Sequence, residues 1–311
     1  MFMLYDLVIV GGGPAAVSAG IYASRQNIKT LLIAKSFGGQ VAKKAVAIEN
    51  YPGFKKISGS KLFGKFEKHL QKQKIEILAD EVERVKKKES FFEVFTAGGK
   101  SFQAKAVIVA TGGDPRLLDV PGEKEFLGRG VSYCTVCDGP LFKGKTVAVI
   151  GGGNSGFEAA IFLSKIAQKV YILERRDKAL ADGSLQKKIK KSGNVEVIVF
   201  AKLKEIQGLK FVKSIIYENQ QDKKEAVLAV DGVFAEIGYV PVASFLSNDL
   251  VDLNSQNEIK INCLSCQTKT PGLFAAGDAT ETKYKQIIIA AGEGAKAALS
   301  AYEYLERQKK S

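Results

Sequence analysis

Tyr5-Asp6-Leu7-Val8-Ile9-Val10-Gly11-Gly12-Gly13-Pro14-Ala15-Ala16 is a strand that runs into a glycine loop, and the loop opens a helix. The helix is built of small residues and extends through Tyr22; residues 30–34 supply a second strand. The spacing is G-x-G-x-x-A, the dinucleotide-binding fingerprint of a βαβ unit. Its first glycine permits the tight turn. Its second lets backbone approach a pyrophosphate, and the third small residue lets the helix pack on the strand. The helix start offers free N–H groups and roughly half an elementary positive charge to phosphates. The pattern returns near the middle of the chain. Thr146-Val147-Ala148-Val149-Ile150 leads into Gly151-Gly152-Gly153-Asn154-Ser155-Gly156, a helix through Ala167, and a strand over residues 169–173. One such fingerprint is weak; two in the same strand–loop–helix setting predict an α/β protein with two Rossmann-like, three-layer nucleotide-binding domains. The plainer alternative is two tight strand–helix turns that bind nothing.

Composition agrees. The chain has 311 residues, 46% hydrophobic and 25% charged, which excludes a disordered chain and suits two domains. The 31 glycines cluster instead of recurring every third position, which excludes collagen. Lys and Arg number 46 against 33 Asp and Glu, a net charge of +13. Such a surface favours acidic partners; with no nucleic-acid-binding motif beside it, nucleic acid is not expected. The N-terminus lacks a basic leader, and no apolar run approaches the ~20 residues of a membrane span. The expectation is a cytoplasmic protein without a membrane segment.

Further elements fit around the two units. Residues 58–73 carry Leu62, Phe63, Phe66 and Leu70 on one helical stripe. Residues 105–110, 231–237 and 273–276 read as strands that end in Gly112, Gly238 and Gly277, and residues 286–307 as a closing helix. The prolines at 115, 121 and 241 place the domain limits. The expected division is 1–116 and 244–311 as one split domain, with 117–243 inserted into it. After the second strand, the first unit ends in Ala34-Lys35, with no acid. The second ends in Glu174-Arg175-Arg176. Paired arginines suit a ribose 2′-phosphate and hence NADPH, whereas an acid suits a 2′-hydroxyl and hence NADH. NADPH is favoured; an exposed basic turn is the alternative.

Four cysteines form two Cys-x-x-Cys pairs, Cys134/Cys137 and Cys263/Cys266. That spacing reads as redox chemistry or metal binding. In Ser132-Tyr133-Cys134-Thr135-Val136-Cys137-Asp138-Gly139 the two sulfurs can close a small disulfide if the backbone turns correctly, and Asp138 can shuttle a proton. A zinc site would need both pairs, since His69 is the single histidine. No metal is expected.

These residues together resemble the low-molecular-weight thioredoxin reductases, two-domain flavoproteins. The resemblance is carried by Gly11 to Ala16, Gly38-Gly39-Gln40, Glu49-Asn50-Tyr51-Pro52-Gly53, Ala110-Thr111-Gly112, Cys134 to Gly139, Gly151 to Gly156, Ile237-Gly238 and Ala275-Ala276-Gly277-Asp278. It implies an NAD(P)H domain inserted into a split FAD domain, and a homodimer. FAD would lie against Gly11, Gly13, Pro14, Ala15, Ala16, Lys35, Gly39, Gln40, Asn50, Val82, Ala110, Thr111, Gly112, Gly277, Asp278, Lys285, Gln286 and Ile287. The pyridine nucleotide would lie against Gly151, Gly153, Asn154, Ser155, Glu174, Arg175, Arg176, Ile237 and Gly238. Reduced nicotinamide would reduce the flavin, and the flavin the Cys134–Cys137 disulfide, with Cys137 nearer the ring. Cys134 would attack the disulfide of thioredoxin or an acidic thioredoxin-like protein, and Asp138 would serve as acid/base. A domain rotation with hinges near 115–121 and 241 would alternate the two half-reactions. The chain departs from the pattern at Leu180, where members often carry another arginine, and at Cys263/Cys266, which read as incidental thiols or a regulatory disulfide. Another donor such as ferredoxin, another disulfide acceptor, or a non-catalytic redox sensor are the competing readings.

Overall fold

The computed structural model describes residues 4–44, 48 and 50–310, apart from the side chains of Gln40, Lys43, Lys44, Tyr239 and Lys310. The chain divides into two compact units, Met1–Asp114 with Val240–Ser311, and Pro115–Tyr239.

In the first unit, β1 (Leu4–Val10) leads into α1 (Pro14–Arg25) and β2 (Thr30–Ile33). Then come α2 (Gly39–Lys44), α3 (Gly59–Gln71), β3 (Glu76–Leu78), β4 (Val82–Lys87), β5 (Phe92–Thr96), β6 (Ser101–Val109) and the short β7 (Gly113–Pro115). In the second unit, β8 (Val131–Ser132) precedes the one-turn helix α4 (Thr135–Asp138), β9 (Thr146–Ile150), α5 (Asn154–Leu163), β10 (Lys169–Leu173), α6 (Gly183–Lys191) and β11 (Val195–Ile198). It closes with β12 (Ala201–Gly208), β13 (Val212–Asn219), β14 (Glu225–Ala229) and β15 (Gly232–Ala235), and the short β16 (Tyr239–Pro241) carries the chain back into the first unit. The first unit resumes with β17 (Leu273–Ala275) and α7 (Ile287–Lys310).

The first unit holds a seven-stranded sheet in the order β3-β2-β1-β6-β5-β4, with β17 also on β6. Its centre is parallel: Ile9 lies between Leu32 and Ile108. The central strands are apolar on both faces because both faces are covered. Leu7, Ile9 and Ile108 pack with α1 and α7. Val8, Val10, Val107 and Val109 pack with Phe92, Val94, Leu250 and Val251. The helix expected over 58–73 forms as α3; the Ser58 hydroxyl caps it by accepting from Lys61 N at 3.4 Å, and Leu62, Phe63 and Leu70 are buried.

The second unit holds a parallel five-stranded sheet, β11-β10-β9-β15-β8, and a separate antiparallel sheet, β12-β13-β14. That second sheet was not read from the sequence. The helix expected through Ala167 stops at Leu163, where Ser164 caps it and turns its hydroxyl back to Ile161 O at 2.9 Å. The strand expected over 231–237 is shorter, since the Asp231 carboxylate accepts from Thr146 N at 3.0 Å and Glu236 begins the next turn.

The chain crosses between units at 114/115 and 239/240, ahead of the expected 116/117 and 243/244. Hydrogen bonds account for the difference. Arg116 N donates to Gly238 O at 3.0 Å within the second unit, and Val242 N donates to Gly112 O at 3.0 Å within the first. Among the described residues no helix is long and apolar enough to cross a membrane.

Candidate active site

Gly11 stands at φ +128°, and a Cβ there would come within 2.2 Å of Ala110 O. The turn therefore needs glycine. Gly13 differs. Its backbone is extended, φ −86° and ψ −174°, a conformation any residue adopts, and a Cβ there would meet no protein atom within 4 Å. Neither conformation nor packing demands glycine at 13; the open space it leaves at the helix start is room that a pyrophosphate would fit. Gly13 caps α1 without a side-chain bond, so the first-turn amides of Ala15 and Ala16 have no partner within the helix.

The remaining parts of this cradle converge at the carboxyl ends of β1, β6 and β17, where open α/β sheets hold ligands. Gly277, at φ +75°, would bring a Cβ within 3.1 Å of the Ala15 Cβ. Its amide donates to the Glu293 carboxylate at 2.8 Å. Gly112, at φ +68°, opens on unfilled space, while the Thr111 hydroxyl donates to Val242 O at 2.5 Å. Asn50 Nδ2 donates to Gln286 Oε1 at 3.1 Å, joining two expected flavin residues from opposite ends of the unit's sequence. Ile287 starts α7 and Asp278 sits in the turn before it. The Lys285 ammonium is engaged with Thr280 O at 2.5 Å, Asp278 O at 3.3 Å and the buried Glu258 at 2.8 Å; it braces the turn. Lys35 is exposed and pairs with Glu81 at 2.5 Å, one residue before the buried Val82. Gly39 opens α2 at φ +47°. The Gln40 side chain lies outside what the structure describes. The cradle fits the dinucleotide end of FAD.

The second unit repeats the geometry. Gly151 stands at φ +122° with a Cβ position 2.4 Å from Glu236 O, and a Cβ on Gly156 would lie 1.9 Å from Gly151 O. Gly153 is extended, φ −86° and ψ −176°, with nothing within 4 Å. Asn154 and Asp182 bond reciprocally, Nδ2 to Oδ2 at 3.1 Å and Asp182 N to Asn154 Oδ1 at 2.8 Å. Glu174 is buried, with Oε2 accepting from Gly152 N and Oε1 from Arg176 N, each at 2.9 Å. The acid is folded back into the glycine loop, whereas Arg175 and Arg176 face solvent, as does Ser155 at the helix start. Ile237 packs into the core before Gly238 turns at φ +105°.

Cys134 and Cys137 are joined as a disulfide with their Cα atoms 5.3 Å apart. Cys134 caps α4, and its Sγ accepts from Cys137 N at 3.2 Å. An amide aimed at that sulfur favours its thiolate once the bond is open. Asp138 accepts from the Ser132 hydroxyl at 2.6 Å. Burial raises its pKa above the usual carboxylate range, and the Ser132 bond opposes this. A carboxyl that stays protonated to higher pH can give a proton to a departing thiolate.

Other residues around the sites were not anticipated. Glu123 is buried, accepts from Leu118 N at 2.7 Å and Asp119 N at 2.9 Å, and takes the Tyr133 hydroxyl bond. Glu236 accepts from the Thr135 hydroxyl at 2.7 Å. For Glu236 the signal is a lone acid in an apolar stretch, and for Glu123 there is none, since it stands in the charged run Glu123-Lys124-Glu125; sequence connects neither to its partners. Cys263 is exposed and Cys266 buried, both free. Burial pushes the Cys266 thiol up to about 11, and the thiol donates to Glu293 O at 3.7 Å. This disfavours the thiolate that a regulatory disulfide needs. Among the described residues no group of three or more potential ligands could hold a metal ion.

Residues 5–294 match the family described as pyridine nucleotide-disulphide oxidoreductase. The chain is 44% identical over 307 residues to one component of the alkyl hydroperoxide reductase of Pseudomonas putida, covering 97% of this chain and 58% of that protein. It is 43% identical to a Bacillus subtilis protein named NADH dehydrogenase, covering 97% and 59%. The chain thus spans about three fifths of the length of these curated relatives. A solved thioredoxin reductase from Streptococcus pyogenes superimposes with a TM-score of 0.92 at 37% identity, covering 99% of this chain and 100% of that one.

Proposed function

The chain belongs to the pyridine nucleotide-disulphide oxidoreductase family, in its thioredoxin-reductase-like class, and from that premise we propose that it is an FAD-dependent thioredoxin-disulfide reductase that draws on NADPH. One observation carries the reading: a closed Cys134–Cys137 disulfide, with an amide on one sulfur and a half-buried carboxyl beside it, in a chain that carries two dinucleotide cradles. The flavin, when bound, supplies a two-electron link between reduced nicotinamide and this disulfide.

The protein's residues do the rest. In the reduced pair, Cys134 attacks one sulfur of the partner's disulfide and forms a mixed disulfide with it. The other partner sulfur leaves as a thiolate and takes its proton from Asp138. Cys137 then gives its proton to the Asp138 carboxylate and attacks Cys134 Sγ; the second partner sulfur leaves, takes that proton to complete the dithiol, and the Cys134–Cys137 bond is restored. Two electrons pass from the pair to the partner. Asp138→Asn should lower turnover about 100-fold. In the wild type the rate should fall as pH rises through the elevated Asp138 pKa, because the acid form is lost; that limb should be missing from the variant's pH profile.

The NADPH choice rests on the side chains after β10. Glu174 is buried with each oxygen accepting from a backbone amide, while Arg175 and Arg176 are exposed and would suit a ribose 2′-phosphate. Replacing both arginines by alanine should raise KM for NADPH roughly 10- to 100-fold, with KM for NADH little changed. A second reading has support in the relatives' names, NADH dehydrogenase for the donor and alkyl hydroperoxide reductase for the acceptor: NADH as donor and a peroxide-reducing disulfide protein as acceptor. Anaerobic stopped-flow decides. NADPH should bleach the flavin band faster than NADH, and oxidised thioredoxin should restore it. If neither nucleotide reduces a flavin that dithionite reduces normally, the donor assignment fails; if thioredoxin does not reoxidise it, the acceptor assignment fails.

A further inference from the structure

Glu236 directly follows β15, the strand beside β9. Its amide donates to Ile150 O at 2.9 Å, and its carbonyl oxygen lies against the Gly151 turn so closely that a Cβ on Gly151 would stand 2.4 Å away. The backbone of Glu236 is thus locked to the start of the second glycine loop. Its side chain goes elsewhere: Oε1 takes the Thr135 hydroxyl at 2.7 Å. Thr135 is buried, follows Cys134 and is the first residue of α4. That one-turn helix presents Cys137 N to Cys134 Sγ.

We propose that Glu236 is a positioning residue for the redox pair: it anchors α4 through Thr135, and its charge sets how readily Cys134 ionises after the disulfide is opened. The inference rests on the reading of Cys134 as the attacking thiol. A half-buried carboxylate held against the residue next to Cys134 disfavours a second negative charge on that sulfur, whereas the anchored turn keeps the Cys137 amide in place to favour it. The two effects oppose each other and separate by substitution. Burial pushes the Glu236 carboxyl up to about 7, the Thr135 bond opposes this, and the charge of Glu158 on α5 adds to it. Of the titratable groups on α4 itself, the Asp138 carboxylate is turned to Ser132, and Cys137 becomes a thiol once the disulfide is opened.

The test uses the full flavin-loaded chain, reduced with dithiothreitol, desalted anaerobically and alkylated with iodoacetamide from pH 5 to 10. Cys134 is followed at the peptide level, apart from Cys263 and Cys266. In the wild type, a limb near pH 7 from Glu236 should precede the titration of the thiol. Glu236→Gln keeps an acceptor for Thr135 and removes the charge; the limb should vanish and the Cys134 midpoint fall by about half a pH unit or more. Thr135→Val removes the anchor, and the midpoint should rise; Thr135→Ser should restore it. Midpoints unchanged in both Glu236→Gln and Thr135→Val overturn the proposal. Should Glu236→Gln fail to fold, the Thr135 pair decides alone: equal profiles for Val and Ser overturn it. No nucleotide or partner protein enters this experiment. A wild type that alkylates as described yet reduces no disulfide with NADPH would therefore sink the reductase reading and leave the Glu236 result standing.

Discussion

Gly13→Val is expected to yield a folded but colourless protein. The backbone at Gly13 is extended and no protein atom lies within 4 Å of a Cβ there, so the fold has room for the side chain. The cost to α1 is about 1 kcal/mol, that of a poor cap residue, and melting should fall by only a few degrees. The isopropyl group would occupy the place proposed for the pyrophosphate at the helix start. Flavin affinity should drop at least ~100-fold, about 3 kcal/mol, read as the loss of the 450 nm band with circular dichroism unchanged. Gly153→Val is the matching case: the flavin should remain and dithionite should reduce it, while NADPH should not. Gly11→Val serves as the contrast. Its Cβ would strike Ala110 O from a left-handed backbone, and it should misfold. A Gly13→Val protein that keeps stoichiometric flavin would show that this cradle is not the flavin site.

Cys134→Ser should abolish the reduction of protein disulfides, by ~1,000-fold or more, and leave NADPH-driven reduction of ferricyanide intact, since that acceptor needs no thiol. Cys137→Ser should behave differently. It keeps the attacking sulfur and lacks the thiol that resolves the mixed disulfide, so reduced enzyme mixed with oxidised thioredoxin should accumulate a covalent adduct of the two chains, visible by intact mass under non-reducing conditions. An adduct through Cys263 instead would reassign the reactive thiol. The buried neighbour Cys266, held protonated, should remain unmodified throughout.

Much of this protein is legible along the chain because its signals are local. A glycine turn, a helix start and the strand before it lie within a dozen residues, so both cradles were readable from the fingerprints. The apolar stripe of α3 and the Cys-x-x-Cys-Asp run are equally local. The antiparallel sheet β12-β13-β14 was not read, because its strands are half exposed and the apolar–polar alternation that begins β12 is broken by register shifts between Leu203 and Glu205 and between Gln207 and Gly208. The Glu174 side chain shows a further limit. Its place in the sequence suited a ribose contact, yet its direction depends on the amides of Gly152 and Arg176, which only the closed loop brings together.

From the residues alone came the α/β class, the two dinucleotide turns, the redox pair and Asp138 beside it, for each depends on neighbours in the chain. The folded structure decided which glycines are needed for the turn and which leave room for a ligand. It also decided which acids brace loops, and that Glu236 reaches Thr135, a hundred and one residues away. Those outcomes depend on side chains meeting across strands and on water being excluded from the place where they meet. No local pattern encodes a burial that exists only once the sheet has closed.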